Sequence, residues 1–223
     1  MSTTKKEEAT NAIGAARHVS ISAPNFVTAT FTIVGIAPYV QHKFSQKALE
    51  EIRTKQELGA QGNKQGKKRS AKDFNQCYEG AKHVMRDGNC GIPAPAFRNG
   101  MISACRLVGF KMTLAKLSVF VEADGFDKHD GTPLVKITKG EPHPHECAVR
   151  LSTGVCDIRV RPMWDEGWEA KLRIRYDADL FTHEDLANLL LRVGQQVGIG
   201  EGRPDGRESA GLGWGLFAFS KKN

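Results

Sequence analysis

The sequence predicts an α+β fold in which one antiparallel sheet carries helices on a single face. Three observations lead there. A β-branched run alternates Val27, Ala29, Phe31 and Ile33 with Thr28, Thr30 and Thr32. Two later runs, VCDIRVRP and WEAKLRIRY, alternate in the same way. Two amphipathic segments at helical spacing fall before and after those runs, and a period of two marks strands while a period near 3.6 marks helices.

Residues 1–17 read as a disordered tail. The first strand lies in NFVTATFTIVGIAPYV and stops at Gly35 and Pro38. A short helix is expected from Ser45 to Gln56, burying Ala48, Leu49 and Ile52. GIPAPAFRNGMISACRLVG opens a helix after its prolines, with Phe97, Met101, Ala104, Cys105 and Val108 on one face and Gly109 as its end. Lys111 to Pro144 reads as a hairpin, LAKLSVFVEA and TPLVKIT, around the polar turn DGFDKHDG.

In VCDIRVRP, Cys156, Ile158 and Val160 oppose Asp157, Arg159 and Arg161. In WEAKLRIRY, Trp168, Ala170, Leu172, Ile174 and Tyr176 oppose Glu169, Lys171, Arg173 and Arg175. The short connection PMWDEG predicts that the two runs pair as a hairpin, which would set all five basic residues on one face of one sheet. THEDLANLLLRVG then offers Thr182 as N-cap, Asp185 as its capping-box partner, a stripe of Leu186, Leu189, Leu190 and Val193, and Gly194 as terminator. GWGLFAF is the last strand. Strand, helix, strand, strand, helix, strand is the ferredoxin-like (RRM-like) split βαβ order, here as a single domain over 18–223 with insertions at about 53–80 and 110–146.

Composition narrows the function classes. The 223 residues are 40% hydrophobic and 26% charged, enough for one good core. No apolar run approaches the roughly 18 residues of a membrane span, and the N-terminal residues contain no signal-peptide core, so a cytoplasmic protein that does not enter a membrane is expected. Cys77, Cys90, Cys105, Cys147 and Cys156 lack CxxC spacing and read as reduced thiols. The glycine-rich end VGIGEGRPDGRESAGLGWGLFAF is neither a P-loop, having no GK[ST], nor a dinucleotide fingerprint, because it runs from helix to strand. His143, His145 and Cys147 lack a paired ligand cluster, so no metal and no cofactor are expected.

The net charge of +7 is concentrated. Between Arg53 and Lys72, seven basic residues (Arg53, Lys55, Lys64, Lys67, Lys68, Arg69 and Lys72) face Glu57 alone, a local excess of 7 − 1 = +6. Such a segment suits a polyanion.

The order of elements and the terminal glycines resemble the RAMP superfamily, the RNA-gripping backbone subunits and crRNA-processing nucleases of CRISPR systems. FTIVGIAPYV resembles that family's first strand and turn, IPAPAFRNGMISA its first helix, and LLLRVGQQVGIGEGRPDGRESAGLGWGLFAF its second helix, glycine-rich loop and last strand. The spacing departs from the family's GhGxxxxxGhG, since ten residues separate Gly200 from Gly211. KDFNQCYEGAKHVMRDGNCGIPAPAFRNGMISA and VGIGEGRP also look similar to uncharacterised bacteriophage proteins, which implies a phage source and the host cytoplasm.

The resemblance implies a non-catalytic protein that binds single-stranded RNA, or DNA, and assembles with its own copies along the strand. Phosphate contacts are expected from Lys64, Lys67, Lys68, Arg69, Arg159, Arg161, Lys171, Arg173, Arg175, Arg203 and Arg207. Gly198, Gly200, Gly211 and Gly213 would let the backbone approach the phosphates. Trp214 is a candidate for base stacking. Two alternatives stay open: a metal-independent endoribonuclease using His42, with Tyr39 and Lys43 nearby, and a phage protein that imitates or inhibits a CRISPR complex.

Overall fold

The computed structural model describes residues 21–44, 46–59, 71–150, 154, 156–206 and 211–220. The tail at 1–17, the basic residues Lys64, Lys67, Lys68 and Arg69, and Arg207 lie outside the described residues.

Strand β1 (Phe26–Gly35) buries Ala29, Phe31 and Ile33 and exposes its threonines, as its alternation predicts, but Val27 near its start is 39% exposed. A two-residue strand β2 (Tyr39–Val40) follows. Helix α1 (Gln46–Leu58) corrects one expectation, for Leu49 and Ile52 are 40% and 43% exposed. Its Lys, Glu and Gln residues leave too narrow an apolar stripe to hold it against the sheet. Helix α2 (Phe74–Gly80), capped by Asp73, leads to strand β3 (Gly91–Pro93) and helix α3 (Ala94–Ala104). Phe97, Met101, Ala104 and Cys105 are fully buried. Val108 is not, because the chain tightens into a 3-10 turn at Cys105–Val108 before Gly109 ends it at φ +68°.

The segment expected as one hairpin divides instead. LAKLS belongs to helix α4 (Met112–Ser118), which runs into strand β4 (Val119–Glu122). Strands β5 (Gly125–Phe126) and β6 (Pro133–Lys139) form the hairpin at the DGFDKHDG turn. Strands β7 (His143–Arg150), β8 (Cys156–Trp164) and β9 (Glu169–Asp177) follow, then helix α5 (His183–Arg192) and strand β10 (Phe217–Phe219).

Every strand pair among the described residues is antiparallel. The larger sheet runs β10-β1-β9, and the far edge of β9 is shared by β4 at Arg173–Tyr176 and β6 at Glu169–Ala170; β6 continues to β3 and β5. The smaller sheet runs β2-β8-β7. The expected β8–β9 hairpin is therefore absent, and Arg159 and Arg161 do not share a sheet with Lys171, Arg173 and Arg175. Both edges of each strand are already taken, those of β8 by β2 and β7 and those of β9 by β1 and β4 with β6. Trp164 and Trp168, both fully buried, pin the turn between them, with ring centres 5.4 and 5.7 Å from that of Tyr39.

One core joins the layers. Ala29, Phe31, Ile33, Leu172 and Ile174 of the sheet pack with Phe97 and Met101 of α3 and with Leu186, Leu189 and Leu190 of α5. The expected capping box is present: Thr182 Oγ1 accepts from Asp185 N–H at 3.1 Å, and Thr182 N–H donates to Asp185 at 3.0 Å. Gly194 does not stop this helix, which loosens into a π turn at Val193–Val197 and ends at Gly198. Gly194 serves packing, since a Cβ there would stand 2.1 Å from Phe217 O. Among the described residues no helix is long and apolar enough to cross a membrane.

Candidate nucleic-acid interface

The basic residues predicted as one surface form two groups. The first lies on the smaller sheet and meets the glycine-rich loop. Across the β7–β8 ladder Cys147 opposes Arg159 and His145 opposes Arg161, so these four side chains share a face. Arg161 Nε donates to Glu201 of the loop at 3.0 Å, and Arg203 donates to Gly200 O at 2.9 Å. Trp214 packs edge-on against His145 with ring centres 5.3 Å apart. A Cβ on Gly202 would lie 2.5 Å from Trp214, so the loop covers part of that indole.

Backbone geometry fixes the loop. Gly200 adopts φ +78°, and a Cβ there would stand 2.5 Å from Val40 O and 2.7 Å from the Tyr39 ring. Gly215, at φ +69°, lies so close to the preceding limb that a Cβ would sit 1.8 Å from Ile199 O. Glu201 N–H donates to Val40 O and Asp205 N–H to Val197 O. Asp205 also accepts from Arg106 at 2.8 and 2.7 Å and from Ser103, tying the loop to the end of α3. Gly198 is buried and its N–H donates to Val193 O, whereas a Cβ added at Gly211 or Gly213 would meet nothing within 4 Å.

His42 belongs to this group. Its pKa lies below the ordinary histidine value because of partial desolvation and then the Arg161 guanidinium, with Arg159 adding to the effect and Glu201 opposing it. These surroundings favour its neutral form. Tyr39 and Lys43, expected beside it, are buried and engaged elsewhere: Tyr39 Oη accepts from Gln41, and Lys43 Nζ contacts Asp127 at 2.6 Å and Asp130 at 3.4 Å.

The second group lines the open face of the larger sheet. On β9, Lys171, Arg173 and Arg175 stand opposite Thr32, Thr30 and Thr28. Arg173 is held by Glu122 and Asp124, each at 3.3 Å. Arg175 lies over Phe26 and Phe120 at 5.1 and 5.2 Å, and Arg98 approaches Phe120 at 5.2 Å. Acidic neighbours thus balance part of this face. Its aromatic and threonine content still suits stacked bases and sugar hydroxyls.

Sequence reading missed a buried polar quartet. Asp127 accepts from Lys43 and from His129 N–H and contacts His83 Nδ1 at 2.9 Å. Gln41 donates to Gly91 O and accepts from His83 N–H. His83 is pushed below its usual pKa, chiefly by burial. His83, Asp127 and Asp130 are grouped closely enough to hold a cation, yet the Lys43 ammonium already lies against both carboxylates. The quartet fixes the segment that carries His42 and Phe44. No family model matches the chain, and no curated protein matches it either.

Proposed function

We propose that this protein binds single-stranded nucleic acid, RNA ahead of DNA, without cleaving it, along the smaller sheet and the glycine-rich loop. The observation that supports the reading is the meeting of Arg159, Arg161 and Arg203 with His42, His145 and Trp214 at one loop. Guanidinium groups match phosphate oxygens, and the adjacent rings offer stacking surfaces. Lys171 and Arg175, with Phe26 and Phe120, are a second contact surface in this reading. The sequence adds Lys64, Lys67, Lys68, Arg69 and Arg207 by charge alone. The strand order β10-β1-β9-β4, with α3 and α5 as the crossing helices, supports a ferredoxin-like core in which β4 takes the place first given to β8, and 125–164 is then an insertion. That core, the RAMP resemblance, assembly along a strand and a phage origin are parts of the same proposal.

The test is the affinity for an unstructured labelled RNA of about 20 nucleotides as salt is raised. The logarithm of the association constant is expected to fall linearly with the logarithm of salt, by about 0.7 per neutralised phosphate on a single strand. Absence of saturable binding to RNA and DNA at low salt would sink the reading and favour a protein partner, detectable by capture from nuclease-treated lysate. Cleavage of RNA in EDTA that disappears in His42→Ala would support the ribonuclease alternative, for which an imidazole whose neutral form is favoured beside Arg159 and Arg161 could serve as the base.

A further inference from the structure

A cleft of about 380 Å³ opens between the segment after β2, helix α2 and the β5–β6 turn. Ligand pockets run from about 300 to 1,000 Å³, so it has room for one nucleotide. Phe44, 59% exposed, stands in its wall, and its ring lies 5.4 Å from that of His42, which carries the wall to the edge of the arginine face. Lys43, Lys72, Lys82 and Lys128 line it against Asp73 and Glu79. Lys43 is held by Asp127 and Asp130, Lys72 by Asp157, and Asp73 caps α2. Lys128, and Lys82 once its carboxylate partner is exchanged, are the cations left to meet an anion. The Lys82 side chain is 14% exposed, its ammonium 4.5 Å from the centre of the Tyr78 ring and 2.8 Å from Glu79, whose carboxylate is 64% exposed and can turn to water when an anion takes its place. Lys128 is exposed and makes a backbone hydrogen bond that holds its main chain to Val84.

We propose that this cleft holds one nucleoside monophosphate unit, its phosphate between Lys82 and Lys128 and its base against Phe44. Two ammonium groups suit a phosphomonoester dianion better than the single charge of an internal diester. The ligand is therefore either a free nucleotide or the phosphorylated end of a strand. The strand-end source rests on the function proposed above, whereas the free-nucleotide source does not.

Titration calorimetry with AMP, GMP, CMP and UMP, and with adenosine as the phosphate-free control, tests the site directly. At least one monophosphate is expected to bind about tenfold more tightly than its nucleoside, and Lys128→Glu to remove that advantage, the weight of one charge-assisted contact. Phe44→Ala should weaken the monophosphate and leave inorganic pyrophosphate unchanged. Both positions are exposed, and circular dichroism of each variant checks that it folds. In parallel, oligonucleotides with 5′-phosphate, 3′-phosphate or hydroxyl ends are compared in wild type and Lys128→Glu. Monophosphate binding alone identifies a free nucleotide; an end-phosphate gain abolished by Lys128→Glu identifies a strand end. If neither monophosphates nor end phosphates respond to Lys128→Glu, the cleft is not a phosphate site. Oligonucleotide binding that persists in that case leaves the function proposed above standing.

Discussion

Replacing Asp127 by Asn tests how the candidate site is held in place. The Asp127 carboxylate is fully buried, 2.6 Å from the Lys43 ammonium and 2.9 Å from His83, with the His129 N–H also donating to it. Burial by itself would raise its pKa, but the Lys43 hydrogen bond, the His129 N–H and His83 outweigh that and hold it at about 2. Against the ordinary value of 3.8, a shift of about 1.8 at 1.36 kcal/mol per unit is worth about 2 kcal/mol. Asn keeps the accepting oxygen and loses the charge, which strands the Lys43 ammonium with Asp130 alone. Removing one member of a buried pair costs about 3–5 kcal/mol, so a loss of about 2–4 kcal/mol is expected near neutral pH. The pKa is depressed on folding, so this stability is fully present above the unfolded value and disappears as pH falls through about 2. Urea denaturation of wild type and Asp127→Asn from pH 7 down to pH 2 should show a gap that closes with acid. A gap below about 0.5 kcal/mol at pH 7, or one that does not change with pH, would refute the reasoning.

Three further outcomes follow from the same geometry. Gly215→Ala forces a Cβ into Ile199 O at φ +69°, so it should lower the thermal midpoint by several degrees and weaken RNA binding as the loop shifts, both measured on one sample. Thr182→Ala removes one side of the α5 capping box and should cost about 1 kcal/mol in chemical denaturation without changing RNA affinity. Because desolvation, Arg161 and Arg159 depress the His42 pKa, the gain in RNA affinity that comes with charging its imidazole should set in at lower pH than an ordinary histidine would give, and His42→Ala should remove that gain.

What the sequence makes legible is local. The Thr alternation of β1, the capping box at Thr182 and the Phe97, Met101 and Cys105 spacing of α3 each carry a complete signal within a few residues. Pairing partners carry no such signal. The alternation of VCDIRVRP defines its two faces and says nothing of its neighbours, so a short connection suggested a hairpin where two buried tryptophans turn the chain from one sheet to the other. Val119–Glu122 is only four residues long and follows directly on a helix, which hides the strand that pairs with β9. Lys43, His83 and Asp127 are hydrophilic residues from three distant segments, and polar character alone places each at the surface. The sole local clue is the Asp127 and Asp130 spacing in DKHDG, where Asp127 accepts from two nearby N–H groups as in an Asx turn. Of the candidate site, residue types and the glycine loop were readable; the separation of Arg159 and Arg161 from Lys171, Arg173 and Arg175 was not, because it follows from sheet membership.

That separation provides the most direct test of the binding face. Affinity of an unstructured RNA should be measured by fluorescence anisotropy at fixed salt for wild type, for Arg159→Glu with Arg203→Glu, and for Lys171→Glu with Arg175→Glu. The glycine-loop pair is expected to weaken binding by at least about 100-fold and to lower the salt slope by about 1.4, two phosphate contacts on a single strand, while the sheet pair weakens it by no more than about tenfold. Equal losses from the two pairs, or a loss confined to Lys171 and Arg175, would contradict the placement of the strand on the smaller sheet and glycine-rich loop.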